Sequence, residues 1–308
     1  MYYSPLRYPG GKNKLAAFVA KVCVDNNING HYVEPYAGGS SVALFLLIEN
    51  YVDRITINDK DRSIYAFWYS ILNNCDELCE LILKTNIDVE NWQIQKEVQR
   101  NKLNTNLLSL GFSTLFLNRT NRSGIISGGI IGGQSQEGEY KIDCRFNKTE
   151  IIRRIRLIAA NAHNITLHNE DAIELIDIIE NENDDNTIFY FDPPYYLKAE
   201  MLYMNHYEHY NHRAVSERIS AIQNLKWIVS YDNEEPIKEL YSNFETKEYA
   251  FFHSAYESRK GKEILFFSDG INQPEVEEYN PVQFKLKRFA NRKDLIYVPE
   301  KAKKIPAV

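Results

Sequence analysis

Short apolar runs alternate along the chain with longer segments in which apolar positions recur at helical spacing. The short runs are rich in β-branched and aromatic residues, a composition that predicts strands. Strands that alternate with helices are typical of a mainly parallel sheet with helices on both faces, a doubly wound α/β fold. The predicted strands span residues 31–34, 54–58, 164–168, 187–191, 226–231, 247–252 and 263–268.

The alternation stops between the second and third predicted strands. Residues 73–147 begin as helix and then become polar and glycine-rich. Between residues 96 and 156 the chain has 11 Lys and Arg against 5 Asp and Glu, although its net charge is −6. A basic segment on an acidic body is a candidate for contact with a polyanion. We therefore predict a catalytic domain at 1–72 and 148–270, an inserted recognition domain at 73–147 and a C-terminal extension at 271–308.

The C-terminal extension is also basic, with eight Lys and Arg against two acidic residues over 285–304. A basic tail of this kind can extend a phosphate-binding track. Its aromatic and aliphatic residues could instead dock it on the catalytic domain. The sequence leaves both alternatives open.

Composition excludes several classes of protein. No apolar run approaches the length that crosses a bilayer, and the first residues do not resemble a signal peptide, so we expect a cytoplasmic protein without a membrane partner. The four cysteines show no zinc-site spacing, and the histidines at 206, 209 and 212 are more typical of a surface segment than of a metal site. We therefore expect no metal.

The strongest chemical motif follows the fourth predicted strand, and its residues are Asp192, Pro193, Pro194 and Tyr195. Open α/β sheets bind their ligands at the carboxyl ends of strands. An exocyclic amino group needs two acceptors, which the Asp192 carboxylate and the Pro193 carbonyl can supply. Tyr195 offers an aromatic face for a base. The motif predicts binding of a base through its amino group, although a strand-to-loop turn would look alike.

A second motif follows the first predicted strand, and its residues are Glu34, Pro35, Tyr36, Ala37, Gly38 and Gly39. Its glycines permit close backbone approach, but their spacing is not that of the dinucleotide fingerprint. The next strand ends in Asp59 and Asp61, about where an acidic residue binds ribose hydroxyls. Together these features favour a nucleoside cofactor. Either aspartate could be the ribose ligand, and we prefer Asp59 because it is nearer the strand.

A third motif is the turn that ends in Lys12. Leu6 and Asn13 replace the first glycine and the hydroxyl residue of a P-loop. We therefore predict a tight turn that presents Lys12 to a carboxylate.

These motifs, in this order, resemble the family of DNA adenine-N6 methyltransferases in which the cofactor motifs precede the recognition domain and Asp-Pro-Pro-Tyr follows it. The resemblance covers about residues 2–270. The matching segments are 7–12, 33–44, 57–61, 117–119, 145–148, 169–171, 191–196, 227–233 and 262–268.

The resemblance implies a fold and a reaction. The first six strands would be parallel, the seventh antiparallel, and the first and fourth neighbours. The enzyme would transfer the methyl group of S-adenosyl-L-methionine to a flipped adenine in double-stranded DNA. It would act as a monomer, with a restriction endonuclease as an allowed partner.

The resemblance also assigns roles to residues. Tyr8 and Lys12 would hold the methionine end of the cofactor, and residues 34–39 would form its pocket floor. Asp59 would bind the ribose, and Asp171 would lie near the cofactor adenine. Asp192 to Tyr195 would bind the target base, and Asp192 would also contact the cofactor. Arg119, with Asn121 and Arg122, would contact DNA.

Two alternatives remain open. A methyltransferase with another amino substrate, such as cytosine N4, an RNA base or a glutamine side chain, could use a similar Pro-Pro-Tyr loop. Asp rather than Ser before the prolines, and the basic insert, favour adenine in DNA. A DNA-binding module without catalysis is the other alternative, and the intact Asp192 and Asp59 argue against it.

Overall fold

The computed structural model describes residues 3–7, 12–196, 207–252 and 260–274, together with two short strands near the C-terminus. The strands are β1 (His31–Glu34), β2 (Arg54–Asn58), β3 (Ile165–His168), β4 (Thr187–Phe191), β5 (Lys226–Asp232), β6 (Glu245–Phe252), β7 (Lys260–Phe267), β8 (Phe284–Leu286) and β9 (Tyr297–Pro299). The α-helices are α1 (Ala16–Asp25), α2 (Ser41–Ile48), α3 (Arg62–Asn73), α4 (Cys75–Lys84), α5 (Val89–Arg100), α6 (Leu107–Thr120), α7 (Lys148–Ala159), α8 (Ala172–Glu180), α9 (His209–Ser220) and α10 (Glu235–Leu240).

Strands β1 to β7 form one sheet in the order β3-β2-β1-β4-β5-β7-β6. β1 pairs in parallel with both β2 and β4, and β7 pairs antiparallel with β5 and β6. The doubly wound α/β fold, the antiparallel seventh strand and the contact between the first and fourth strands are therefore confirmed. β6 and β7 begin two and three residues earlier than predicted.

Successive residues of a strand point to opposite faces of the sheet. Both faces carry apolar side chains, and helices cover each of them. Tyr32 and Ile188 belong to one apolar core, whereas their neighbours Val33 and Phe189 belong to the other. Helices α1, α2 and α3 pack in the first core, and α8, α9 and α10 pack in the second. Strands buried on both faces have continuous apolar runs, which explains why the sequence predicted them well.

The inserted segment shares the first core. Leu115 and Phe116 of α6, and Leu78 of α4, belong to the same buried cluster as the residues of α1 to α3. Helix α6 approaches α3 closely at Gly111, where a Cβ would lie 2.5 Å from the carbonyl oxygen of Ala66. The first half of the insert is thus packed into the catalytic body, and its role in recognition remains a prediction.

In the described part of the chain, none of the helices has the length and apolarity that crossing a bilayer requires. β8 pairs antiparallel with β9 and lies beside α1. The other residues of 275–308 lie outside the described residues, so both alternatives for the basic tail remain predictions.

Candidate active site

A cleft of about 1280 Å³, counting its open mouth, lies at the carboxyl ends of β1, β2 and β4. Parallel strands bring their carboxyl ends to one edge, which is why motifs distant in sequence meet here. The predicted site residues that line it are Lys12, Glu34, Pro35, Tyr36, Ala37, Gly38, Gly39, Asp59, Asp192 and Pro194. Asp61 lines it as well. Tyr8 lies outside the described residues.

The loop after β1 is held from two sides. Its Gly38 has a φ of 43°, in the left-handed region that glycine adopts without a steric penalty. The Gly38 amide donates to Asp59 Oδ2 at 2.9 Å, and Trp68 Nε1 donates to the Gly38 carbonyl at 3.1 Å. The glycine backbone is therefore fixed before any ligand binds.

Glu34 begins this loop and is buried. Its Oε1 accepts from the Tyr32 hydroxyl at 3.0 Å and from the Ala43 amide of α2 at 3.1 Å. Burial raises the pKa of Glu34 to about 8, although these hydrogen bonds favour the charged form. Glu34 therefore holds a proton in most molecules at neutral pH.

The two candidate ribose ligands have different surroundings. Asp59 accepts from the Gly38 amide and, at 2.9 Å, from the Asp61 amide. Burial and the charge of Asp61 raise the pKa of Asp59 to about 7. Asp61 caps α3 by accepting from the Ser63 amide at 2.9 Å, and it lies 3.2 Å from Lys102 Nζ. Asp61 is thus engaged by a cation, and Asp59 faces the glycine loop.

Asp171 is placed at the edge of the site rather than in it. Its carboxylate caps α8 as part of a capping box and lies 2.8 Å from Lys60 Nζ. The next residue, Ala172, lines the cleft.

Asp192 follows β4, and its side chain is about 25 % exposed. Its Oδ1 accepts from the Ser230 hydroxyl at 3.1 Å and lies 3.4 Å from Lys12 Nζ. Burial raises the pKa of Asp192 to about 6, and the charge of Lys12 opposes the shift. At neutral pH the carboxylate is mainly ionised and can accept hydrogen bonds.

The Tyr195 side chain is directed into the protein. Its hydroxyl donates to Glu263 Oε1 at 2.5 Å and accepts from Lys12 Nζ at 3.2 Å. The ammonium of Lys12 also lies 5.1 Å from the centre of the Tyr195 ring. The predicted contact of Lys12 with a carboxylate is present twice, because Lys12 lies 2.7 Å from Glu263 as well as near Asp192. The ring is thereby fixed in one orientation.

Asn58 and Glu263 are two residues of this site that the sequence did not indicate as functional. Asn58 fastens the loops after β1 and β3, since its side-chain amide donates to the carbonyls of Pro35 and Glu170. Glu263 was assigned only to a strand. A charged residue at the start of an apolar run was the one signal that could have singled it out.

The predicted DNA-contact residues differ in accessibility. Arg119 donates to the carbonyl of Pro5 and, at 3.4 Å, to that of Arg145. Asn121 is fully buried, accepts from Trp92 Nε1 at 2.6 Å and donates to the carbonyls of Ile125 and Ile126. Arg122 is exposed.

The insert also contributes a wall of the cleft, formed by residues 124–127. Asn118 donates to the Gly124 carbonyl at 2.8 Å, and Lys96 Nζ donates to the Ser127 carbonyl at 3.1 Å. Asn118 also accepts from the Arg7 amide at 2.7 Å and donates to the Arg7 carbonyl at 2.8 Å, so a contact between the insert and the N-terminal segment borders the site. The expectation of a surface position was wrong for His212, which is buried and lies 3.0 Å from the Tyr231 hydroxyl through Nδ1.

Comparison with known proteins identifies the family of the chain. Type II methyltransferase M.MjaIII of Methanocaldococcus jannaschii is 21% identical over 207 residues, which are 62% of this chain and 68% of the relative. The rRNA methyltransferase aviRa from Streptomyces viridochromogenes aligns with a TM-score of 0.32 and 7% identity, over 81% of this chain and 82% of that chain. The family of D12 class N6 adenine-specific DNA methyltransferases matches residues 8–255. The resemblance seen in the sequence is confirmed, and the chain belongs to the D12 class N6 adenine-specific DNA methyltransferases.

Proposed function

We propose that this cleft binds S-adenosyl-L-methionine and a flipped adenine together, and that the enzyme methylates adenine N6 at one sequence in double-stranded DNA. The observation that carries the proposal is that one cleft contains both Asp59 with the glycine loop and Asp192 of the Asp-Pro-Pro-Tyr motif. A donor pocket and an acceptor group must adjoin if a methyl group is to pass between them.

The residues of the cleft suit the cofactor. The Asp59 carboxyl group is placed for ribose hydroxyls beside the Gly38 backbone, and Asp192 supplies negative charge for a cationic ligand. Residues 34–39 would form the floor, and Lys12, which also lines the cleft, would hold the methionine part. The cofactor would supply an activated methyl group on sulfur. Asp171 itself does not line the cleft, so it would act on the cofactor adenosine only by holding the next residue, Ala172, in the wall of the cleft.

Asp192 would bind the target base. Its carboxylate and the Pro193 carbonyl would accept the two hydrogens of the adenine amino group. Nitrogen gains positive charge as it forms a bond to a methyl group, and an ionised carboxylate already in place stabilises that charge. The quarter exposure of Asp192 leaves it accessible from the cleft. Tyr195, whose side chain is buried and bonded to Glu263, would fix the Asp-Pro-Pro-Tyr loop that binds the base.

The position of Asp192 within a cleft supports base flipping as part of the proposal. An adenine stacked in a duplex cannot reach such a group, so the base must leave the helix at a cost of about a few kcal/mol. Contacts from residues 73–147 to the duplex would offset this cost. Arg122 is the exposed member of the predicted contact residues, and Arg119 would act closer to the body.

The enzyme would act as a monomer, and a restriction endonuclease of the same specificity would be its partner. The description of the relative as a Type II methyltransferase supports that context.

The test is to sequence modified bases in DNA from cells that express the native chain or Asp192→Ala. We expect N6-methyladenine at one sequence with the native chain and none with the variant. The variant should still bind S-adenosylhomocysteine by calorimetry, because Asp192 is assigned to the acceptor. N4-methylcytosine instead, or a folded variant that has lost the cofactor product, would contradict the proposal.

A further inference from the structure

The carboxylate of Glu263 receives hydrogen bonds from three sides in a buried environment. Tyr195 donates to Oε1 at 2.5 Å, Tyr249 donates to Oε2 at 2.5 Å, and Lys12 Nζ lies 2.7 Å from Oε2. All four side chains are no more than 6% exposed. The three donors are held firmly around this buried charge, because the loss of any one of them would leave the carboxylate poorly solvated.

The sheet explains why the carboxylate is placed there. Glu263 on β7 lies opposite Tyr249 on β6 and opposite Asp232 on β5. Asp232 in turn accepts from the Tyr196 amide at 2.9 Å. Two carboxylates at one level of the sheet therefore hold successive residues of the Asp-Pro-Pro-Tyr loop, Glu263 through a side chain and Asp232 through the backbone.

Glu263 also competes with Asp192 for one cation. Lys12 Nζ is 2.7 Å from Glu263 and 3.4 Å from Asp192. With all three groups ionised, the cluster has one more negative than positive charge. Without the charge of Glu263, the ammonium would be drawn to Asp192, where it would compete with the amino group of a bound base.

We propose that Glu263 is a positioning residue for methyl transfer, which holds Lys12 away from Asp192 and fixes the Tyr195 ring so that Asp192 can accept from the target amino group. This inference rests on the proposed role of Asp192. Glu263 is not among the residues that line the cleft, so it would reach the cofactor only through Lys12, which stays beside Asp192 in the cleft; the inference therefore concerns mainly the rate of transfer.

The effect of Glu263 on Asp192 can be measured through the pH dependence of the reaction rate. The charges that act on the pKa of Asp192 are those of Lys12 and Glu263, and the charge of Asp192 in turn raises the pKa of its neighbours Glu34, Tyr190 and Tyr231. Burial is the main cause that raises the pKa of Asp192, and the negative charge of Glu263 adds to it. Neutralising Glu263 should therefore lower the pKa of Asp192. The acid limb of the pH–rate profile should move to lower pH, although the rate on the plateau falls.

The experiment compares native enzyme with Glu263→Gln and Glu263→Asp, using oligonucleotide duplexes that contain the methylated sequence. For Glu263→Gln we expect kcat to fall about 10- to 100-fold, as for loss of a charge-assisted contact, with KM for the cofactor within about twofold. Its acid limb should move to lower pH. Glu263→Asp keeps the charge and should return the acid limb to the native position. Glu248→Gln, an exposed carboxylate beside Tyr249, is the matched control and should behave as native.

Tyr249→Phe tests the same inference if Glu263→Gln does not fold. It leaves Glu263 charged and removes one donor, so we expect kcat to fall about 3- to 10-fold at unchanged cofactor affinity. Native kcat in Tyr249→Phe, or native kcat and acid limb in Glu263→Gln, overturns the inference. A raised KM with native kcat also overturns it, because Glu263 would then serve cofactor binding. Native kcat in Asp192→Asn would instead overturn the proposed function.

Discussion

The backbone amide of Gly38 donates to the carboxylate of Asp59 at 2.9 Å, which ties the loop after β1 to the end of β2. Asp59 has a second backbone donor in Asp61, and each carboxylate oxygen keeps a further lone pair for a ligand. The same side chain can therefore shape the loop and accept from ribose hydroxyls. This double use distinguishes it from Asp61, which caps a helix and lies near Lys102.

Asp59→Ala should weaken binding of S-adenosylhomocysteine by about 10- to 150-fold, which corresponds to the loss of charge-assisted hydrogen bonds. Asp61→Ala should leave this affinity nearly unchanged and lower the free energy of unfolding by about 1 kcal/mol through loss of the α3 cap. Calorimetry and urea unfolding measure the two effects. The opposite pattern of affinities would make Asp61 the ribose ligand.

Arg122→Ala should weaken DNA binding and leave cofactor affinity unchanged, because the residue is exposed in the insert. If Arg122 contacts a phosphate, the slope of log affinity against log salt should become shallower by about 1, whereas a base contact would relax sequence preference. Arg119→Ala should also lower stability, since Arg119 donates to two backbone carbonyls. Fluorescence anisotropy over a range of salt concentrations checks the prediction, and unchanged binding by Arg122→Ala would exclude the contact.

Gly111→Ala should destabilise the protein by about 1–3 kcal/mol, because the added methyl would overlap the backbone of α3. Since α6 and α3 share one core, we expect a single unfolding transition with a lower midpoint in urea. Ser109→Ala, an exchange nearer the start of the same helix, is the control for general effects in α6. It leaves the α6 cap intact, because Asn106 accepts from the backbone amide of residue 109 and not from its side chain. Two separate transitions would show that the insert folds independently.

His31 should make stability dependent on pH. It is fully buried, and burial together with the charge of Arg54 lowers its pKa to about 4. At His31 the native state therefore binds fewer protons than the unfolded chain between pH 6.5 and 4. Stability from this residue is complete above about pH 6.5 and declines as pH falls to about 4, by up to about 3 kcal/mol.

The measurement is the difference in unfolding free energy between native protein and His31→Gln across this pH range. Taking this difference cancels the contributions of Glu34, Asp59 and Asp192. Their raised pKa values act in the opposite direction, because they increase the stability of the native state as the pH falls. His31→Gln should lose less stability on acidification than the native chain. A difference that does not change with pH would show that His31 titrates normally.

The sequence by itself determined the strands, their alternation with helices, and the two loops that meet in the cleft. Strands buried on both faces have continuous apolar runs, and a parallel sheet brings their carboxyl ends to one edge. Asp192, Gly38 and Asp59 could be assigned to one site for that reason. The contact of Lys12 with a carboxylate was also expected, but the identity of its nearest partner was not.

Only the tertiary structure decided which side chains are buried and what they contact. Glu263 meets Tyr195 and Lys12 across 68 and 251 residues of chain, and no local pattern records such a pairing. Asn121 could have been exposed for DNA, yet it is buried and bonded to its own loop. Periodicity reports which face of an element is apolar, because that depends on near neighbours. The partner of a polar side chain depends on how distant elements pack, and therefore appears only in the folded chain.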